Sequence, residues 1–251
     1  MGHVIFIGAG PGAADLITVR GAQRLRLADV VLFDALTDPA LRALAPQARW
    51  VNVGKRGFAD STGQSTINAL LVKHAREAGV VVRLKGGDPS VFGRLEEELE
   101  ALAAAGITCE VVPGVTAAIA AAASTLRPLT RRGSGRSVSL TTAMTREGTL
   151  NATRTADTEV FYMAGRQLAA LSRRLMAAGW PADTPASVVS RAGWPDQLQS
   201  DHRVDALRDA TVLHAGRPTV VTVGAGAAPL TVPTARQPAA ALTFGAETTK
   251  P

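Results

Sequence analysis

Three short stretches of this chain combine glycine with groups that can bind a ligand or move a proton. The first, Gly8-Ala9-Gly10-Pro11-Gly12-Ala13, directly follows the apolar run Val4-Ile5-Phe6-Ile7 and satisfies the pattern G-x-G-x-x-G/A. Such a turn can seat a pyrophosphate on backbone N–H groups, and Asp34, which ends the next apolar run, stands where a carboxylate would meet a ribose hydroxyl. Two features oppose that reading: Pro11 lacks an N–H, and Asp15 brings a carboxylate to the same place. A tight turn without any ligand is the plain alternative. The second stretch, Lys85-Gly86-Gly87-Asp88-Pro89-Ser90-Val91-Phe92-Gly93-Arg94, also follows an apolar run. Its paired glycines would let a ligand approach the backbone, and Asp88 can accept hydrogen bonds from hydroxyl or amine groups; the ordinary alternative is a loop in which Asp88 caps the next helix. The third, Pro113-Gly114-Val115-Thr116-Ala117-Ala118, is a strand-to-helix turn of small residues. Three such turns on one sheet edge point to a small ligand resting on backbone.

The elements that would carry these turns alternate. Short β-branched runs at 4–7, 30–33, 50–53, 80–84 and 109–112 are separated by helical patterns near 18–28, 65–78 and 94–105, the last with Leu95, Leu99 and Leu102 on one face. Near-continuous apolar strands suit a parallel sheet covered on both faces, and open α/β sheets bind ligands at the carboxyl ends of their strands. After Arg127 a Pro/Gly-punctuated basic stretch reads as a connection. Further strands are expected at 137–142, 159–163, 186–190, 197–203 and 219–223, with helical patterns near 167–178 and 204–210, giving a second α/β domain with a mixed sheet. From Gly224 onward the chain is rich in Ala, Pro and Thr and reads as an unpacked tail. The expected organisation is an α/β protein of two domains, 1–127 and 128–228, with the active site in the cleft between them and a disordered tail over 229–251.

Composition bounds the chemistry. A hydrophobic fraction of 46% with 19% charged residues is that of a globular protein, and no apolar run reaches the roughly 20 residues of a membrane helix. The lone Cys109 can form neither an internal disulfide nor a thiolate metal cage, and Met1-Gly2-His3 enters a strand with no basic leader, so a cytoplasmic, metal-independent protein without a membrane partner is expected. The formal charge is +6, and of the 27 basic residues only Lys55, Lys73, Lys85 and Lys250 are lysine. An arginine excess suits bidentate binding of carboxylates or phosphates, although biased codon usage produces the same composition.

The turns in this order, Ile7-Gly8-Ala9-Gly10-Pro11-Gly12, Asp34, Val53-Gly54-Lys55-Arg56, Lys85-Gly86-Gly87-Asp88-Pro89, Val112-Pro113-Gly114-Val115-Thr116-Ala117, Pro128-Leu129-Thr130 and Phe161-Tyr162-Met163, resemble the tetrapyrrole methyltransferase superfamily over about residues 4–224. Val53-Gly54-Lys55-Arg56 and Val82-Arg83-Leu84-Lys85-Gly86-Gly87-Asp88-Pro89 are most similar to its uroporphyrinogen-III C-methyltransferase branch. The resemblance implies S-adenosylmethionine as methyl donor, folded into the interdomain cleft, and methylation of uroporphyrinogen III at C2 and C7 to give precorrin-2 by way of precorrin-1. It implies a donor site lined by Pro11, Gly86, Gly87, Asp88, Val91, Thr116, Ala117 and Met163, with Ala192 where glycine is usual. By the same match Asp34 is the proton acceptor and Lys55 the proton donor, Arg94 and Arg132 clamp substrate carboxylates, and the chain is a homodimer. Arg127, Arg131 and Arg136 would add field more than contact.

Departures fall on the acceptor side. Phe92-Gly93-Arg94-Leu95-Glu96-Glu97-Glu98 stands where the family reads F-G-R-G-G-E-E, Thr142-Ala143-Met144 where it reads T-G-H, and Arg131 where a histidine is usual. A methyltransferase for a later precorrin shares the donor site and is one alternative. An rRNA-modifying member of the superfamily is another, opposed by the scarcity of aromatic residues, ten in all, for stacking on bases. A dinucleotide oxidoreductase leaves the later motifs unexplained, and a binding protein without activity would be expected to have lost Asp34 or Lys55.

Overall fold

A computed structural model of the chain describes residues 2–54, 63–143, 150, 152 and 154–230. Lys55, Met144 and the tail beyond residue 230 lie outside the described residues.

The first sheet is entirely parallel. It is built from β1 (His3–Gly8), β2 (Val30–Phe33), β3 (Arg49–Asn52), β4 (Val80–Lys85) and β5 (Cys109–Val112), in the order β3-β2-β4-β1-β5. Alternation sends successive side chains to opposite faces. Ile5, Ile7, Val31, Val82 and Leu84 pack beneath α1 (Val19–Leu25), while Val4, Phe6, Leu32 and Val81 pack beneath α2 (Gln64–Glu77) and α3 (Leu95–Ala104). In α2 the buried Ile67, Leu71, His74 and Ala75 recur at helical spacing, so one stripe of the helix faces the sheet. Thr18 accepts a hydrogen bond from the Gly21 amide and starts α1.

A small-residue helix, α4 (Ala117–Ser124), leads to the second sheet, formed by β6 (Val138–Thr142), β7 (Thr158–Tyr162), β8 (Pro185–Ser190), β9 (Leu198–Arg203) and β10 (Thr219–Gly224). Its order is β6-β7-β10-β8-β9, with β6 parallel to β7 and the remaining pairs antiparallel. Phe161, Val188, Val221 and Val223 pack against Leu168, Leu171 and Leu175 of α5 (Leu168–Ala177). The opposite face, carrying Val160, Tyr162 and Val220, receives Ala117 and Ala118 of α4. Alanines let that helix lie close to the sheet.

The helical pattern expected at 204–210 is a 3-10 helix, Val204–Ala210. The expectation of an unpacked chain from Gly224 onward needs correction. The chain stays packed past Gly224: Ala225–Ala227 make a further 3-10 turn, and Gly226 and Ala227 are buried, so prolines further along do not unpack this segment.

Candidate active site at the seam of the two sheets

The carboxyl ends of β1, β4 and β5 meet directly. Gly10 and Gly87 exchange backbone hydrogen bonds of 3.3 and 2.7 Å, and a Cβ on Gly114 would stand 2.4 Å from the Gly87 carbonyl oxygen and 2.7 Å from the Gly8 Cα. The sequence pattern suggested that these glycines leave room for a ligand. At Gly8 and Gly114 a further requirement is that backbones touch, whereas a Cβ on Gly86 would meet only the Leu36 side chain and one on Gly87 only the Thr116 Cα at 3.9 Å. Asp88 serves the same end. Its Oδ1 accepts from the Ser90 amide at 2.8 Å and from the Ser90 hydroxyl, and its Oδ2 accepts from the Gly114 amide at 2.8 Å. Burial disfavours the charge, but these hydrogen bonds more than offset it and hold the carboxyl below its ordinary range. Asp88 therefore locks two turns together, instead of capping α3 or standing as a free acceptor.

The second sheet closes on this edge through its own strand ends. The Ala13 amide donates to the Gly193 carbonyl at 2.9 Å, and the Trp194 indole donates to the Pro11 carbonyl at 3.0 Å. Ala192 packs with Ala120, Ala121 and Val189, and Leu16 and Val115 flank them. Tyr162 is the other hub: its hydroxyl bonds Thr116 Oγ1 at 2.7 Å and accepts from the Ala118 amide at 3.3 Å, while its ring meets Phe92 at a centroid distance of 5.0 Å. Burial pushes the Tyr162 phenol up, so it stays neutral.

Backbone strain collects here. Phe92, Arg94, Met163 and Arg191 have φ of 54°, 54°, 58° and 53°, a conformation that costs a non-glycine residue about 1 kcal/mol or more. Phe92 and Met163 also remain 42% and 48% exposed despite being large and apolar. Such residues persist where the surroundings over-determine them, commonly at ligand sites.

The residues expected to bind the methyl donor thus lie along one seam: Pro11 under Trp194, Gly86–Asp88 against Gly10 and Gly114, Val91 and Ala117 in the cluster around Tyr162, Thr116 on the Tyr162 hydroxyl, Met163 beside it, and Ala192 across from Leu16. The residues expected on the acceptor side are more dispersed. Asp34 directly follows β2 and pairs with Arg83 at 2.7 Å. Gly54 packs on the backbone of Asp34 and Ala35, and Lys55 lies outside the described residues. Arg94 is exposed and engages both carboxylate oxygens of Glu97 at 2.7 Å, so a substrate carboxylate would have to compete with that partner. Arg132 is exposed in the turn closed by the Arg131–Gly135 bridge. Arg127 supplies no free field. It is buried and holds Asp201 through two contacts of 2.5 Å.

Sequence reasoning passed over the charges beneath Asp34. Arg83 and Lys85 alternate with apolar neighbours in the central strand β4, and both are 3% exposed. Glu98 of α3, fully buried, accepts from Arg83 Nε at 3.0 Å and from Lys85 Nζ at 2.5 Å. Two cations in a doubly covered strand were the signal, since buried charge demands partners.

The model of the Tetrapyrrole (Corrin/Porphyrin) Methylases family matches residues 3–208. The chain is 41% identical over 228 residues to uroporphyrinogen-III C-methyltransferase of Pseudomonas aeruginosa, covering 89% of this chain and 93% of that protein. The crystal structure of uroporphyrin-III C-methyltransferase from Thermus thermophilus in complex with S-adenosyl homocysteine superposes with a TM-score of 0.78 at 34% identity, over 89% of this chain and 97% of the other. The X-ray structure of a cobalt precorrin-4 methyltransferase superposes with a TM-score of 0.79 at 30% identity, covering 90% of this chain and 96% of that one. The chain spans half or less of the length of the siroheme synthases it also matches.

Proposed function

Because the chain belongs to the tetrapyrrole (corrin/porphyrin) methylases, we propose that it transfers methyl groups from S-adenosylmethionine to C2 and C7 of uroporphyrinogen III, giving precorrin-2 by way of precorrin-1 for sirohaem, cobalamin or haem d1 synthesis. The observation that carries this reading is the seam, where turns from both sheets are locked against one another and leave strained, exposed Phe92 and Met163 beside Tyr162. When bound, the donor supplies a methyl already activated by its sulfonium, and pyrrole carbons of the substrate are electron-rich. The protein's task is alignment.

In this reading Pro11, Gly86, Gly87, Val91, Thr116, Ala117, Met163 and Ala192 form the donor surface, and Asp88 fixes the turns that compose it. Asp34 accepts the proton that the methylated macrocycle sheds, and Lys55 is the proton donor. Arg94 and Arg132 meet substrate carboxylates, Arg94 by exchanging Glu97 for the ligand. We divide the chain into 1–127, 128–228 and a tail over 229–251, and place the protein in the cytoplasm as a homodimer. Among the described residues no helix is long and apolar enough to cross a membrane, and no group of three or more His, Cys, Asp or Glu could hold a metal.

Anaerobic incubation with S-adenosylmethionine and enzymatically generated uroporphyrinogen III, followed by mass, is expected to show a product heavier by two methyl groups. No methyl transfer to this substrate, with turnover of a later precorrin instead, would replace the reading by its sibling, which the likeness to a cobalt precorrin-4 methyltransferase favours.

A further inference from the structure

We propose that Arg83 is a positioning residue for Asp34, and that Glu98 and Lys85 hold Arg83 in place to do this. The inference rests on the reading of Asp34 as the proton acceptor. Arg83 stands on the central strand of the first sheet, and its guanidinium spans two carboxylates: Nη2 donates to Asp34 Oδ1 at 2.7 Å and Nε to Glu98 Oε1 at 3.0 Å. Only an arginine fork reaches both at once. Glu98 is shared with Lys85 at 2.5 Å, and Gln64 Nε2 donates to it at 3.3 Å.

Charge balance explains why Asp34 belongs to this group. The buried part contains two cations, Arg83 and Lys85, and one carboxylate, Glu98. A buried excess of one positive charge is costly, and Asp34 supplies the missing negative charge from the sheet edge. Asp34 is itself 30% exposed, so the ion pair lies half in the core and half at the surface. One carboxylate oxygen is fixed by Arg83, which sets the rotamer and leaves the other oxygen to face a proton. This is the relation of an orienting group to a base, built with arginine as the orienter.

The reinforcement runs deeper than one pair. Arg83 and Lys85 are two residues apart on one strand and therefore share a face, and Glu98 reaches them from the first turns of α3. Gly93 lies close to the Lys85 side chain, where a Cβ would come within 3.1 Å of Lys85 Cε. The strained segment Phe92–Arg94 therefore passes directly over the network that holds Asp34.

The test is a double-mutant cycle on the full chain. Arg83→Gln is expected to lower kcat by about 10- to 100-fold, the scale of a misplaced catalytic group, while the tetrapyrrole KM and the Kd for S-adenosylhomocysteine by calorimetry change by less than about threefold. In an Asp34→Asn background the same change should add less than about threefold, because the oriented group is already gone. Arg83→Lys retains the cation but not the fork, and is expected to remain folded with kcat still reduced about tenfold; it carries the test if Arg83→Gln does not fold. Full kcat in Arg83→Lys, equal losses in both backgrounds, or a parallel fall in S-adenosylhomocysteine affinity would each overturn the proposal. If Asp34→Asn turns over normally, the base assignment fails and takes this inference with it. If Asp34→Asn is impaired and the Arg83 variants are not, only this inference fails.

Discussion

Gly114→Ala tests whether the seam is held by backbone contact. The added Cβ would lie 2.4 Å from the Gly87 carbonyl oxygen, 2.7 Å from the Gly8 Cα and 2.9 Å from the Gly8 carbonyl carbon. None of these is the end of a flexible side chain. They belong to the end of β1 and to the loop after β4, which the Gly10–Gly87 hydrogen bonds hold together. Gly114 is not left-handed, so the cost is steric and not conformational. Overpacking of this kind costs about 1–3 kcal/mol, and moving the Gly114 amide also loosens its bond to Asp88, worth about 1 kcal/mol. A total near 3 kcal/mol corresponds to a melting temperature lower by about 6–12 °C for a chain of this size. Circular dichroism melts with and without S-adenosylhomocysteine read both terms: the variant should melt low and gain less from the ligand than the parent. Gly86→Ala is the control, because its Cβ meets only the Leu36 side chain, at 3.3 Å. It should melt within about 3 °C of the parent while still losing ligand stabilisation. A Gly114→Ala protein that melts within about 2 °C of the parent would refute the backbone-contact argument.

Tyr162→Phe removes the hydroxyl shared by Thr116 and the Ala118 amide and should cost about 1–2 kcal/mol in urea unfolding, with weaker S-adenosylhomocysteine binding by calorimetry; an unchanged midpoint would show that the hydroxyl does not tie α4 to β7. Arg127→Met should cost about 1–3 kcal/mol at pH 7, since the released Asp201 is half exposed and rehydrates. The hydrogen bonds from Arg127 outweigh burial and hold the Asp201 carboxyl below its ordinary value, so that stabilisation is present above about pH 4 and is lost as pH falls through the folded value. The Arg127→Met melt should therefore depend less on pH on the acid side, and an unaltered slope would count against it. Burial, then His202 and Arg217, lower the His214 pKa, so the unfolded chain takes up this proton first and stability drops as pH falls below about 6.5. His214→Gln should flatten the melting temperature between pH 7 and pH 5, and a parallel curve would show that another group titrates there.

The parallel sheet was legible because its strands are apolar on both faces, and a run such as Val80-Val81-Val82 in a doubly covered sheet has few other homes. The mixed second sheet was legible from the spacing of its strands, and α5 from Leu168, Leu171 and Leu175. The 3-10 form of 204–210 was not, because the apolar spacing of Val204 and Leu207 fits either helix and only the carbonyl partners distinguish them. Glycine turns were visible, but the backbone contacts at Gly8 and Gly114 were not. Composition cannot separate a glycine that admits a ligand from one that admits another strand, and Gly8, Gly87 and Gly114 meet across more than a hundred residues of chain. The role of Asp88 changed for the same reason, since its partner Gly114 lies 26 residues away. Arg83, Lys85 and Glu98 were in plain view, yet their pairing depends on which face of β4 lies beneath α3.

The two halves of the proposed site are therefore built from different materials. The donor half is backbone held by backbone, with Gly87 bonded to Gly10 and touching Gly114, and Asp88 bonded to main-chain amides, so a side chain added at Gly8 or Gly114 would part the strand ends of the first sheet. The acceptor half is built from side chains: Asp34 is tied to the buried Arg83, while Arg94 on Glu97 and Arg132 in its turn end in solvent. Such groups can change without disturbing the seam. At the start of α3, Leu95 packs on the core and Glu96 favours the helix N-terminus, so both firm up the helix that carries Glu98. A firm α3 holds Glu98 against Arg83 and Lys85, directly after Arg94 in its strained left-handed conformation.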